Sequence, residues 1–361
     1  MIHSPSRSNN EAFAGVGLLN KYSIVIFAAA LLAGLLFTRQ RTLLFTPWIL
    51  AGGAIALLIF SPNLIWNIQH HWPFLELMQN IRATGKDVIL SPGQYLLQQV
   101  LMLNPVSFPF WFGGLLFYFF SRDAKNYRNF GWTFVITILF FMITHGKDYY
   151  SAATYVMLFA AGGVATERLI AERRFLKPVC FVWLMLGVVP LLPLVLPVLP
   201  IETFLRYQSH LPFEVPKTEQ SFVGETLPQY YADEFPWPGM VEAVARVYHS
   251  LTPEEQQRTA IFGSNYGQAA AIDFFGPKYG LPKAISGHQN YFLWGPRQYT
   301  GDIVILLGAK ESEQREQFES ITVAATLDNP YAYRYENRPI LLCRGLKWNL
   351  QTGWSKVKKW R

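Results

Sequence analysis

A chain of 361 residues that is 51% hydrophobic and 15% charged has the composition of an integral membrane protein carrying a water-compatible module. Its net charge of +7 is no sign of nucleic-acid binding, because residues 1–200 hold 14 Lys/Arg against 7 Asp/Glu, residues 201–361 hold 17 of each, and no basic face with interleaved aromatics remains. Cys180 and Cys343 fall in different regions, so the C-terminal module has no internal disulfide, and no Cys/His spacing suits a metal.

In chain order the apolar segments are Phe13–Phe37, Leu43–Trp66, Tyr95–Phe120, Phe130–Thr144, Tyr150–Ala165 and Pro178–Ile201, each read as a crossing, since about 20 apolar residues span a bilayer. The first is too long and too poorly flanked for a signal peptide, with Arg7 the one basic residue in Met1–Ala12. Basic clusters at Arg39/Arg41, at Arg122/Lys125/Arg128 and at Arg168/Arg173/Arg174/Lys177 fall at alternate gaps. Cytoplasmic loops retain Lys and Arg, so the gaps Trp66–Gln94 and His145–Tyr149 are expected on the outer side. The predicted fold is an α-helical polytopic membrane domain of about six transmembrane helices over residues 1–203, followed by a small α/β soluble domain over 204–361, extracytoplasmic.

That second region opens with an irregular, Pro-rich passage from Leu211 to Pro238. Short apolar runs then predict strands at Thr259–Phe262, Asp302–Leu307, Ile321–Ala325 and Pro339–Arg344, with helices at Gln268–Phe275 and Glu311–Phe318. The turn Gly263–Gly267 between strand and helix is neither a dinucleotide fingerprint nor a Walker motif. A tight βα turn is the preferred reading, an anion site on its backbone N–H groups the alternative.

Charged residues at membrane depth are costly and raise a functional hypothesis by default. Lys21 lies about two turns into the first segment, and Lys147 lies in the hinge His145-Gly-Lys-Asp-Tyr-Tyr150. Two ammonium groups with Tyr22, Tyr149 and Tyr150 beside them suit a phosphate; equally, the lysines can snorkel into headgroups within an aromatic belt. Asp148 neutralises Lys147 or serves as a catalytic carboxylate. Among the other outward carboxylates, Glu11, Glu76 and Asp87, only Glu76 is a candidate base, against an exposed place on an interfacial helix. His70 and His71, being adjacent, diverge by about 100° on a helix, and a loop role is preferred to metal binding.

The stretches Gly15-Val-Gly-Leu-Leu-Asn-Lys21-Tyr-Ser, Ser61-Pro-Asn-Leu-Ile-Trp66, His71-Trp-Pro-Phe-Leu-Glu76, Leu103-Asn-Pro105 and Gly146-Lys-Asp-Tyr-Tyr150 resemble the bacterial membrane glycosyltransferases of family 39, which have the GT-C fold. The run Gly263-Ser-Asn-Tyr-Gly-Gln through Leu293-Trp-Gly-Pro296 looks like the C-terminal domain of one bacterial branch. The resemblance implies transfer of a sugar from a polyprenyl-phosphate carrier to a lipid, glycan or protein acceptor on the outer side of the bacterial inner (plasma) membrane. Lys21, Lys147 and Tyr149 match positions that approach the carrier phosphate. No cofactor is implied beyond the lipid-linked donor, and a divalent metal is left open. In the family the catalytic aspartate follows a span upstream of the matched stretches, so the chain looks like a member truncated at its N-terminus. At the hinge Ser151, Ala153 and Val156 stand where the family tends to carry Leu, Pro and Pro.

Two other function classes stand beside the transferase: a non-catalytic remnant or partner subunit, and a transporter, which would show polar residues at the midplane. In the tail, Trp348, Trp354 and Trp360 recur every six residues beside Lys356, Lys358, Lys359 and Arg361. Six residues advance a helix by about 600°, so no helical face collects the tryptophans. The tail is expected at an anionic leaflet, or else as a solvated terminus.

Overall fold

The structure, a computed structural model, describes residues 7–173, 175–213, 215, 219, 222 and 225–360, with side chains from Phe13 onward. Arg174, Arg361 and the side chains of Arg7 and Glu11, which enter the readings above, lie outside the described residues. The chain divides into two compact units, Met1–Trp72 with Ile89–His210, and Pro73–Val88 with Leu211–Arg361.

Helices dominate the first part of the chain: α1 (Arg7–Asn20), α2 (Ser23–Leu36), α3 (Pro47–Gln69), α4 (Pro73–Thr84), α5 (Pro92–Met102), α6 (Phe108–Phe120), α7 (Arg128–Ile143), α8 (Ala152–Leu169), α9 (Leu176–Val195) and α10 (Ile201–Ser209). All but α4 belong to the first unit.

The expectation of about six crossings is corrected here. Among the described residues only α3 and α9, of 23 and 20 residues, are long and apolar enough to cross a membrane, or three spans if α5 and the stretch Pro105–Phe120 count as one despite a 91° bend. The apolar run Phe13–Phe37 is broken at Lys21–Tyr22 into α1 and α2, of 14 residues each. With its 16 residues, α7 is likewise short of the requirement. At 1.5 Å per residue these helices reach about 21–24 Å, against a hydrocarbon core of about 30 Å. The bend between α5 and α6 has a local cause. Asn104 sits at φ 65° with its side chain accepting from the Val106 N–H at 3.2 Å, and Pro105 has no N–H with which to continue the helix.

Within the first unit α6 lies along α8 at a distance that only glycine permits. A Cβ on Gly114 would stand 1.9 Å from the Leu158 carbonyl oxygen, and one on Gly162 equally close to that of Phe110. Small residues that let helix backbones meet are the usual means of packing apolar helices where dispersion is the main attraction. Tyr118 adds a hydrogen bond to the Met157 carbonyl at 2.9 Å.

The second unit contains α11 (Gln229–Ala232), α12 (Trp237–His249), α13 (Pro253–Arg258), β1 (Thr259–Gly263), α14 (Tyr266–Phe275), α15 (Asn290–Leu293), β2 (Ile303–Leu307), α16 (Glu311–Gln314), β3 (Phe318–Ala325) and β4 (Ile340–Leu346). The sheet order is β1-β2-β4-β3, with β1 and β2 parallel and the other neighbours antiparallel. Alternation sorts the side chains onto two faces. Ile261, Ile305, Leu307 and Ile340 pack with α12 and α14 through Val241, Val244 and Ile272. Ala260, Val304, Leu306, Leu341 and Cys343 pack with Leu350 and Trp354 of the tail. The predicted helix Glu311–Phe318 is a single turn, α16, after which Phe318 already starts β3. The sequence reading missed α12, whose apolar face fills one side of the sheet.

The tail is not laid out as expected. Trp360 is 6% exposed, its indole N–H donates to the Pro73 carbonyl at 2.7 Å, and its own carbonyl accepts from Asn80 Nδ2 at 2.6 Å. Lys358 pairs with Glu76 at 2.7 Å. Residues 287–289 run beside the tail, with Lys359 N–H donating to Gly287 O at 2.8 Å and Gln289 N–H to Lys359 O at 3.0 Å. A Cβ on Gly287 would lie 1.8 Å from the Val357 oxygen. The tail is thus part of the second unit's core and holds α4 onto it, rather than a solvated terminus.

Two sets of variants test this packing by thermal unfolding in mild detergent. Gly114→Ala and Gly162→Ala are each expected to cost about 1–3 kcal/mol by overpacking, whereas Gly113→Ala and Gly163→Ala, whose added Cβ meets nothing within 4 Å, gain roughly 0.5–1 kcal/mol. For the tail, Trp360→Ala is expected to cost about 3–5 kcal/mol and to speed hydrogen exchange across residues 73–84. Glu76→Gln, which removes an exposed ion pair, costs under about 1 kcal/mol.

Candidate functional site

Lys21 stands at the break between α1 and α2. Its N–H still bonds Gly17 O at 2.9 Å, while Ile24 and Val25 bond back three residues, to Lys21 O and Tyr22 O, which tightens the turn. Tyr22 fixes this corner to α3. Its hydroxyl donates to Asn63 Oδ1 at 2.9 Å and accepts from Asn67 Nδ2 at 3.1 Å, and Asn67 is buried. The spacing of four residues sets Asn63 and Asn67 on one helical face. Pro62, one residue before Asn63, cannot donate to Leu58 O, and Ser61 Oγ supplies that hydrogen bond at 2.7 Å.

The hinge after α7 is equally built. Gly146 N–H bonds Phe141 O at 2.8 Å after His145 at φ 54°, and a short 3-10 turn covers Asp148–Ser151. Buried Gln99 of α5 ties the turn down: its Nε2 donates to Asp148 O at 3.1 Å, and its Oε1 accepts from Ser151 Oγ at 2.6 Å and Tyr155 Oη at 2.9 Å. Asp148 Oδ1 accepts from the Tyr149 N–H at 2.9 Å. Burial pushes the Asp148 carboxyl above the ordinary carboxylate range, and that hydrogen bond and the Lys147 charge pull it back.

These two constructions meet. Lys21 Nζ lies 5.5 Å from the Tyr149 ring centroid and 5.6 Å from that of Tyr150, within the range of cation–π attraction. The two rings stand edge to face at 5.0 Å. Lys21, Tyr149 and Tyr150 are therefore gathered at one corner, with Lys147 and Asp148 next to them in the chain. Glu76 is held elsewhere, on α4 of the second unit in its pair with Lys358. His70 stacks on Trp66 at 4.4 Å and bonds its carbonyl. Among the described residues no three His, Cys, Asp or Glu side chains are grouped to hold a metal.

At the Gly263–Gly267 turn of the second unit the anion reading is met by internal partners. Tyr266 N–H donates to His288 Nδ1 at 3.2 Å, and Gln268 N–H to Asn265 Oδ1 at 2.9 Å. Buried Glu336 takes hydrogen bonds from Asn265 Nδ2 at 2.9 Å and Gln268 Nε2 at 2.7 Å. A carboxylate beside the helix N-terminus already complements its dipole. Glu336 and Asp233 were not singled out from the sequence, where an acidic residue in a polar stretch carries no sign of burial. Desolvation raises both carboxyls, that of Asp233 to about 6, with Glu336 and Glu219 adding repulsion.

Residues 11–66 match the family model described as dolichyl-phosphate-mannose-protein mannosyltransferase. No curated protein and no solved structure matches the chain. The family match and the two long apolar helices are consistent with a membrane-associated, glycosyltransferase-like protein. The matched residues run from α1 to α3 and include Lys21, Tyr22 and Asn63.

A raised acid ionises at a cost to the folded state. Stability therefore falls as pH rises from the unfolded value near 3.8 through about 6. Asp233→Asn is expected to melt higher than the parent at pH 7, with the difference vanishing below pH 4; melting curves across that range measure it.

Proposed function

We propose that the chain holds the donor of a membrane glycosyltransferase, which moves a sugar from a polyprenyl-phosphate carrier to a lipid, glycan or protein acceptor at the outer face of the bacterial inner membrane. Lys21 and Lys147 bind the carrier phosphate, and Tyr149 keeps the Lys21 ammonium in place through its ring. The observation that supports this most directly is the meeting of Lys21 with Tyr149 and Tyr150, two segments more than a hundred residues apart in sequence, the first of them inside the mannosyltransferase match. An ammonium over aromatic faces keeps N–H groups for an anion, and a phosphate is a strong acceptor for them.

In sugar transfer the phosphate departs while a carboxylate takes the proton of the acceptor hydroxyl. The two candidates for that base have other engagements, Glu76 with Lys358 and Asp148 with the Tyr149 N–H. This favours, as a second reading, a chain that binds the lipid-linked sugar as a non-catalytic partner subunit.

Binding of a polyprenyl phosphate to the chain in neutral-lipid nanodiscs tests the proposal. A charge-assisted hydrogen bond contributes about 1.5–3 kcal/mol, so Lys21→Ala and Lys147→Ala should each weaken binding about tenfold or more, and Asp148→Asn should strengthen it by removing a nearby negative charge. Unchanged affinity in both lysine variants would remove the phosphate site. Sugar transfer that Asp148→Asn abolishes would make Asp148 the base.

A further inference from the structure

In the second unit, the sheet face of Val304 and Leu306 is roofed by the irregular tail instead of a long helix. Between roof and sheet lies a cavity of about 580 Å³, within the range of small-molecule sites. Its inner wall is hydrocarbon, from Ile285, Val304, Leu306, Phe318 and Leu350. Lys356, Lys359 and His288 stand on its lining as well. The one carboxylate there, Glu313, is paired with Lys310 at 3.3 Å. Lys356 Nζ rests 5.2 Å from the Trp348 ring and has no carboxylate in ion-pair reach among the described residues. Lys359 Nζ donates to Ser264 O at 3.1 Å, and its charge also acts on the buried Glu336 carboxyl behind the lining. His288 accepts at Nδ1 from the Tyr266 N–H, so its proton resides on Nε2. The backbone of Lys359 is bonded to residues 287–289, and that of Lys356 lies in the 3-10 turn Trp354–Val357 just before it, where its N–H bonds Gly353 O at 2.9 Å.

We propose that this cavity binds a small amphiphilic anion, its hydrocarbon body against the sheet and a phosphate or carboxylate head on Lys356 and Lys359. Each half of the lining selects one half of the ligand. A sugar would leave its hydroxyls unpaired against the aliphatic wall, and inorganic phosphate would leave that wall empty. The site is independent of the donor phosphate site at Lys21 and Lys147.

The test is lysine acetylation, read residue by residue by mass spectrometry, on the full chain in phosphatidylcholine nanodiscs. Octyl phosphate is expected to slow acetylation of Lys356 and Lys359 about fivefold or more, as a charge-assisted contact would, with Lys278 and Lys347 unaffected. Inorganic phosphate and octyl glucoside at the same concentration should protect far less. Leu306→Trp, which fills the cavity, should abolish the protection. Should that variant not fold, Lys356→Glu, at an exposed position, should abolish protection of Lys359. Absence of protection by octyl phosphate, equal protection by either comparator, or protection that survives Lys356→Glu would overturn the proposal.

Discussion

The indole of Trp360 is bonded to a carbonyl 287 positions earlier in the chain, and much of the second unit's architecture depends on that contact. The chain leaves the first unit after Trp72, makes α4, and re-enters the first unit at Ile89. By itself α4 is a 12-residue amphipathic helix, too short to be stable in isolation. What fixes it is burial of Trp360 together with the Asn80 and Pro73 hydrogen bonds, and the exposed Glu76–Lys358 pair adds little. The same tail forms the roof over one sheet face, so its last residues act in two places at once.

The β-strands were legible from the sequence to within a few residues, because a short apolar run bounded by polar or turn residues is a property of each strand alone. Thr259–Phe262 and Asp302–Leu307 differ from β1 and β2 by one residue at one end. What was not legible depended on partners distant in sequence. The three tryptophans share no helical face, and in the fold they do three different things: Trp348 donates to Gln317, Trp354 packs under the sheet, and Trp360 seats against α4. Their even spacing carried no structural meaning.

Hydropathy overstated the number of crossings for a related reason. It sums apolar character along a window and does not register where the backbone turns. The corner at Lys21–Tyr22 is set by Asn63 and Asn67 forty residues away, and the bend at Asn104–Pro105 by one left-handed residue and one missing donor. At the candidate site the charged and aromatic members were visible by type, whereas Gln99, Asn63 and Asn67, which hold it in shape, were not. A neutral amide reveals its role only when its hydrogen bonds are seen.

The split composition of the second unit has a consequence for synthesis. A ribosome makes α4 about 280 residues before it makes the tryptophan that covers it, which at about 5–20 residues per second is roughly 15–60 s. Until the tail is made the helix lacks the indole that covers it, although Glu219, the partner of Lys86 at 3.4 Å, and all four strands have been synthesised before then. The unit therefore closes late and from its far end, so that a messenger cut short in its last few codons yields a chain with nearly every element in place and the earliest of them unfastened.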